Sequence, residues 1–379
     1  MRYHIALSYQ SDLELLAQNA QAGKCPVHAM WNMSQLLKAK VHLPITDSIS
    51  PLDIICSKII GSPQHWALAR VLCKQLQRDD VLFCTDEEVG FPIAALCRAK
   101  VAPPKIAVFV HNINRLRGRL ALKLLNVQDW IDLFMTHSPV QADFLRNYLC
   151  LPDKRVCQVV KAPPTDISFF TPGPASPQKR RPVIGSRGLE KRDYRTLADA
   201  TQDLNVDVKI CTFSPDVKAV KRAFPKEVMP SHMSYRFYDW CELVQLYRDS
   251  DVVVISLFEN DFQAGLTTLF EAMACRRPVI ITRSSGIIGD LIDAGIVTGV
   301  NPGDPVGLKQ AIVKLLDEPK KASTQAQRGY ELVVNQFNHH NYTQALVTKL
   351  TSTFGSINNS KLVCLKRKKS YLHPEPHPM

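Results

Sequence analysis

A chain of 379 residues is longer than one ordinary domain and suits two. Its 45% hydrophobic and 22% charged residues exclude a disordered polyelectrolyte and leave material for two cores, while a formal charge of +12 favours acidic partners. No apolar run reaches the roughly 18 residues of a membrane span, and the opening MRYHIALSYQ turns polar too early for a signal peptide. The eleven cysteines stand singly with no C-x-x-C pair, which reads as reduced, packed thiols rather than a disulfide framework or a zinc site.

In chain order, residues 3–7 read as a short strand and residues 31–40 as a helix, with Met33, Leu36 and Leu37 at helical spacing. Residues 66–76 make a second amphipathic helix. The run DVLFC at 80–84 is a buried strand, and TDEEVGFPIAALCRA behind it is a loop and a helix. KIAVFV at 105–110 is another strand, ending at His111. A further strand at 132–136 ends at His137, and Ser138 after it suits a helix N-cap. Strands alternating with helices argue a parallel sheet covered on both faces, with ligands beyond the carboxyl ends of its strands. His111 stands at such an end, with His137 as its rival.

Between those two histidines, residues 115–125 set Arg115, Arg119 and Lys123 at four-residue spacing, with Arg117 adding charge and Leu116, Leu120 and Leu124 alongside. Two readings stay open. One is a basic amphipathic helix suited to a membrane surface that carries anionic or lipid-linked acceptors. The other is an ordinary helix packing its leucines on the sheet.

Composition shifts in APPTDISFFTPGPASPQKRRP, residues 162–182, to the Pro, Gly and Ser of a linker. The domains are therefore expected at 1–165 and 182–340, joined by 166–181. The second domain opens with a strand at 182–185 and the segment SRGLEKRDYRTLADATQDL, a loop entering a helix with Arg187, Lys191 and Arg192 near its start. A strand at 206–211 and helices at 242–248, 305–316 and 323–336 follow. A terminal helix occupies 341–358. The tail 359–379, with Lys366, Arg367, Lys368 and Lys369, is too poor in apolar residues to fold alone.

The chain is organised around residues 251–283, DVVVISLFENDFQAGLTTLFEAMACRRPVIITR. Two buried strands flank a loop and a helix that starts near Thr267, with Leu269, Phe270, Met273 and Ala274 on its apolar face. A tight loop before a helix N-terminus is a ready anion site, because the first N–H groups lack partners and the dipole favours negative charge. Glu271 leans back toward that N-terminus, so its carboxylate can reach two neighbouring hydroxyls just beyond a bound phosphate. Asp249, Ser250 and Asp251 imitate an Asp-x-Asp metal motif, but they precede the buried strand and read as helix end and strand start.

This stretch resembles the donor-binding signature of retaining, two-domain GT-B glycosyltransferases of the family 4 group. There a Glu, seven residues and a second Glu run into Ala-Met-Ala-x-Gly-x-Pro-Val-Ile. Glu271, Ala272, Met273, Ala274, Pro278, Val279 and Ile280 match, while Gln263 stands for the first Glu and Arg276 for the Gly. DISFFTPG is similar to the family's Asp-x-x-x-Phe-x-Pro segment before the second domain. The resemblance implies an α/β, GT-B fold, with two Rossmann-like domains whose parallel sheets face a central cleft and a last helix that crosses back to the first domain.

It further implies a metal-independent, retaining hexosyltransferase that moves a hexose from a nucleoside diphosphate sugar to an acceptor hydroxyl on a glycan or a lipid-linked molecule. Glu271 would hold the donor ribose, and Gly265, Leu266, Thr267 and Thr268 the sugar and phosphates. Arg192 falls on the family's Lys, the family's Arg falls on Leu189, and Arg187 and Lys191 are further cations for the diphosphate. His111 and Gln263 would face the transferred sugar, and Arg115, Arg119 and Lys123 an acceptor or membrane surface. The nucleotide sugar is a co-substrate; no cofactor, metal or nucleic acid is called for. A cytoplasmic protein in polysaccharide or glycolipid biosynthesis is expected, with peripheral contact at an anionic inner membrane face. Gln263 and Arg276 keep a second reading open, a catalytically impaired relative serving as a nucleotide-sugar-binding or membrane-surface scaffold. A Rossmann oxidoreductase is disfavoured, because no Gly-x-Gly-x-x-Gly opens a helix.

Overall fold

The computed structural model describes residues 1–159, 161–212, 222–224, 229–260 and 264–357. Gln263 and the basic tail therefore lie outside the described residues. The first half contains β1 (Arg2–Ala6), α1 (Leu13–Gln21), α2 (Ala29–Leu37), β2 (Lys40–His42), α3 (Pro51–Ser57), α4 (Pro63–Gln75), β3 (Asp80–Cys84) and α5 (Glu87–Cys97). It continues with β4 (Lys105–Phe109), α6 (Leu116–Leu125), β5 (Leu133–Thr136), α7 (Pro139–Asp143) and β6 (Val156–Gln158). The second half contains β7 (Val183–Arg187), α8 (Tyr194–Thr201), β8 (Asp207–Cys211), β9 (Met233–Arg236), α9 (Trp240–Asp249), β10 (Val252–Ile255) and α10 (Leu266–Ala274). It ends with β11 (Val279–Thr282), α11 (Ile287–Asp293), β12 (Thr298–Val300), α12 (Pro305–Asp317), α13 (Pro319–Asn335) and α14 (His339–Phe354).

Among the described residues the strands form two six-stranded sheets, in the orders β2-β1-β3-β4-β5-β6 and β12-β11-β10-β7-β8-β9. Every strand pairing in both sheets is parallel. This is the α/β, doubly wound pair that the alternating strands and helices predict. The inner strands β3, β10 and β11 are buried at every position, which is why they read as unbroken apolar runs. Helices start where short polar side chains precede them: Asp86 accepts from Val89 N–H at the head of α5, and Ser138 accepts from Gln141 N–H at the head of α7.

Several expected boundaries shift for local reasons. The helix expected over 31–40 ends at Leu37, because Lys38 takes a left-handed conformation (φ 48°) and Lys40 opens β2. The helix expected from residue 323 already begins at Pro319, a residue suited to the first turn. The interdomain segment is tied down by the residues that imitate a metal motif. Asp249 accepts from Ser176 N–H (2.6 Å) and Oγ–H (2.9 Å), and Asp251 accepts from Lys179 Nζ and Val183 N–H (both 2.7 Å). α14 buries Leu346 and Leu350 with Tyr3, Ile5 and Met33 of the first half. The Tyr3 hydroxyl donates to the Gly355 carbonyl just beyond it (2.6 Å). Among the described residues no helix is long and apolar enough to cross a membrane.

Candidate functional site

The second sheet reverses its strand order between β7 and β10. At such a switch point the connections leave in opposite directions and open a crevice beyond the carboxyl ends. β7 delivers Arg187 to that crevice. Gly188 (φ 95°) and Lys191 (φ 56°) then turn the chain back over the end of β10. Phe258 N–H donates to the Lys191 carbonyl and Asp193 N–H to that of Ser256, both at 2.9 Å. Opposite this loop α10 begins at Gly265 (φ 88°), where a β-carbon would lie 2.7 Å from Ile255 Cγ2. Only glycine fits both the angle and the space.

Arg192 lies between the loop and the start of α10 and is only 4% exposed. Its Nε–H donates to the Arg187 carbonyl (2.8 Å), Nη1 to that of Glu190 (3.0 Å) and Nη2 to Thr268 Oγ1 (3.1 Å). Among the described residues no carboxylate pairs with it. Burial accordingly lowers its pKa, with Tyr194 and Tyr247 opposing. Tyr194 is a further side-chain partner, and a guanidinium has five N–H donors, so these bonds do not use all of them beside a helix N-terminus that has no side-chain cap. The local field is positive from both sources.

Glu271, also 4% exposed, sits one turn and a half into α10. Its Oε2 accepts from Arg187 and from the Tyr247 hydroxyl (2.7 Å). Burial raises Tyr247, helped by Glu271, so the phenol keeps its proton and donates. Burial opposes the Arg187 charge, and the Glu271 carboxylate outweighs it and raises that pKa. The Arg187 guanidinium also lies 5.3 Å from the centre of the Trp240 ring. Arg187, Trp240, Cys211, Phe237, Tyr238 and Leu243 line an adjoining cavity of about 70 Å³. Oε2 of Glu271 is thus engaged within the protein.

In the first domain, His111 N–H and Asn112 N–H donate to the two oxygens of buried Glu87 (3.0 and 3.2 Å). Glu87 opens α5, so the helix start holds the turn that follows β4. His111 Nε2 lies 3.1 Å from the Thr85 carbonyl. A carbonyl only accepts, so Nε2 carries a proton and, in the neutral ring, Nδ1 is the free acceptor. His137 stacks beside Phe109 and 5.7 Å from the His111 ring. Burial, and secondly His111, push its pKa down to about 4. Arg115 pairs with Glu88 (2.5 Å), Arg119 bonds Asn114 and lies over Tyr148, and Lys123 is exposed.

The structure therefore gathers Arg187, Arg192, Gly265, Leu266, Thr268 and Glu271 into one cluster. Thr267 and Lys191 are exposed at its edge, and Leu189 is buried. Of the three cations near the start of α8, Arg192 is buried, Arg187 partly buried and Lys191 exposed. His111 belongs to a separate cluster with His137. Tyr247 and Trp240 went unrecognised in the sequence, although their seven-residue spacing places them on one helix face. Glu87 gave no signal beyond being an acid in a first helical turn.

Residues 184–318 match the family model described as Glycosyl transferases group 1. HepE of Anabaena, solved in complex with UDP-glucose, is similar over 93% of this chain and 100% of its own, at 14% identity and a TM-score of 0.67. Sucrose-phosphate synthase from Thermosynechococcus elongatus is similar over 93% and 99%, at 14% identity and a TM-score of 0.66. An α,α-trehalose 6-phosphate synthase from Burkholderia multivorans gives 93% and 99%, 13% identity and a TM-score of 0.67. No curated protein matches. The fold is GT-B, and residues 184–318 of the second half are similar to the group 1 glycosyltransferases.

Proposed function

We propose that this chain is a retaining hexosyltransferase that moves a hexose from a nucleoside diphosphate sugar to an acceptor hydroxyl without a metal ion. The observation that carries the reading is Arg192, a buried guanidinium with no carboxylate partner among the described residues, set at the start of α10 and beside the Arg187–Glu271 pair. Two arginines against one carboxylate leave a surplus positive charge where a diphosphate would lie. As the bond to the sugar breaks, charge develops on that diphosphate, and preorganised donors there stabilise it most. The Oε1 atom of Glu271 would accept from a ribose hydroxyl, and the aromatic cavity beside Arg187 would take an edge of the base. The acceptor oxygen would attack from the leaving-group face and pass its proton to the departing phosphate. His111, through Nδ1, and Gln263 would hydrogen-bond the transferred sugar.

The likeness to the UDP-glucose complex of HepE puts uridine donors first in a thermal-shift screen of UDP, GDP, ADP and their sugars. A ligand at a hundredfold its dissociation constant adds about 2.7 kcal/mol. One nucleotide is expected to raise the melting temperature, and His111→Ala is expected to keep that shift while losing transfer. Full transfer by His111→Ala would move the sugar contact to His137. A shift without hydrolysis or transfer would select the catalytically impaired relative, and no shift with any nucleotide would defeat the donor reading.

A further inference from the structure

α6 resolves the two readings left open by its sequence. Its inward face is Gly118, Ala121 and Leu122, all buried, with Leu125 half-buried. The leucine stripe points the other way: Leu116 is 88% exposed, Leu120 50% and Leu124 57%. At 100° per residue these three occupy the outward crest of the helix. Arg119 and Lys123 flank the crest on one side and Arg117 on the other. A packed amphipathic helix has its leucines under it; this one has them on top.

The neighbouring α3 is turned out in the same way. Its one acid, Asp53, is buried, capping Ser50 N–H and pairing with Arg70 (2.7 Å). Leu52, at 69%, and Ile54 and Ile55 are exposed instead. Arg117 ties the two helices together by donating to the carbonyls of Ser57 (2.9 Å), Ile59 (3.2 Å) and Gly61 (3.2 Å). Exposed Lys58 follows α3, and Tyr148, also exposed, lies beneath the Arg119 guanidinium at 5.1 Å. The two adjoining helices thus expose six large aliphatic side chains with four cations among and beside them. Neither helix has an exposed acid, and nearby Glu88 is paired with Arg115.

We propose that the α3–α6 face docks on a lipid surface bearing anionic headgroups. Aliphatic crests flanked by cations match an interface in which apolar side chains enter the acyl boundary while guanidinium and ammonium groups meet phosphates. An apolar protein groove would bury those cations unpaired at a cost, whereas the headgroup layer supplies their anions. α6 begins five residues after His111, so docking sets the first-domain histidines next to the bilayer. That an acceptor arrives from this surface rests on the transferase reading; docking itself does not.

The test is sedimentation of the full chain with phosphatidylcholine vesicles, with and without phosphatidylglycerol. The chain is expected to bind the anionic vesicles and to be released by salt. Arg119→Gln and Lys123→Gln should each weaken binding about fivefold. Leu120→Glu with Leu124→Glu should weaken it at least about tenfold. The nucleotide-induced melting shift, unchanged in these variants, shows that they fold and keeps the two readings separable. Loss of that shift in the native chain alone would sink the donor reading and leave docking intact. Absence of binding to either vesicle overturns the proposal. So does binding that survives the leucine changes and vanishes on neutralising Lys366, Arg367, Lys368 and Lys369. Self-association broken by Leu120→Glu, without vesicle binding, would reassign the face to a second copy and equally overturn it.

Discussion

Removing the Glu271 carboxylate should cost the fold before it costs the ligand. Glu271→Ala leaves the Arg187 guanidinium, with its side chain only 14% exposed, without its anion. It also leaves the buried Tyr247 hydroxyl without its acceptor. Breaking a buried pair by deleting one partner costs about 3–5 kcal/mol. For a domain of about 150–250 residues that lowers the melting temperature by roughly 6–20 °C. Glu271→Ala therefore confounds a stability loss with a binding loss, and Glu271→Gln is the cleaner probe. The amide oxygen keeps an acceptor for Tyr247, while an NH2 group replaces the oxygen facing the ribose and the charge is dropped. Arg187→Met, the complementary change, strands the carboxylate. Combining Arg187→Met with Glu271→Gln should recover most of the stability lost by Arg187→Met, a coupling of about 2–3 kcal/mol in a double-mutant cycle of urea denaturation. Strictly additive effects would refute the pair as a stabilising unit. Nucleotide affinity, measured by titration on the folded variants, should fall by about 1–3 kcal/mol in Glu271→Gln, the scale of a hydrogen bond to a charged group. Unchanged affinity there would remove the ribose from Glu271.

Two further outcomes follow from single positions. Arg276 occupies a left-handed conformation (φ 55°) at the end of α10, so Arg276→Gly should stabilise the chain by about 0.5–1 kcal/mol without changing nucleotide affinity; a lower melting temperature would contradict this. His42 and His137 both have folded pKa values pushed down to about 4, each chiefly by burial, against about 6.5 unfolded. Between those limits the unfolded chain takes up protons that the folded chain refuses. The stability that goes with neutral rings is therefore complete above about pH 6.5 and is lost as the pH falls toward 4, by at most about 1.4 kcal/mol per pH unit per histidine. Urea midpoints from about pH 7 down to about pH 5, above the carboxylate range, would report it; flat midpoints would mean that neither ring is held neutral.

What could be read in advance divides along burial. The inner strands and α10 are legible because both faces are covered, which forces continuous apolar runs at DVLFC, VVVI and VIIT. β2, β6, β9 and β12 escape notice, and they are the four edges of the two sheets. Each has only three or four residues and is partly exposed, too short for a period to show. α3 escapes for the opposite reason: PLDIICS looks like core, and only the structure turns its aliphatic side outward. In α6 the leucine spacing alone could not give a direction. The small residues Gly118 and Ala121 were the usable sign, since a helix pressed against its neighbours needs small side chains on the contact face. In the site, Glu271 and Arg192 followed from the signature, whereas Tyr247 and Arg187 acquire their roles only by meeting Glu271 across three elements distant in sequence.

The two departures from the family signature carry unequal weight. Arg276 N–H donates to the Met273 carbonyl (2.9 Å) and Arg277 N–H to that of Ala272 (3.0 Å). That is a Schellman ending with Arg276 at the position glycine prefers. The side chain is exposed there, so the usual glycine answers to helix termination, and its loss is a matter of strain rather than chemistry. Gln263 is the chemical departure. On the proposed reading it would keep hydrogen bonding to a sugar hydroxyl but bring no negative charge, and so would bear on the positive character that the sugar develops as its bond breaks. It would leave the diphosphate end untouched. At that end Arg192 is buried without a carboxylate partner among the described residues, an arrangement that costs several kcal/mol unless an anion completes it. A chain with no further use for a donor would gain stability by exchanging that guanidinium for an apolar side chain. The proposed donor reading gives Arg192, packed between Gly188 and Gly265, such a use, and would confine the effect of Gln263 to the rate of the step that follows.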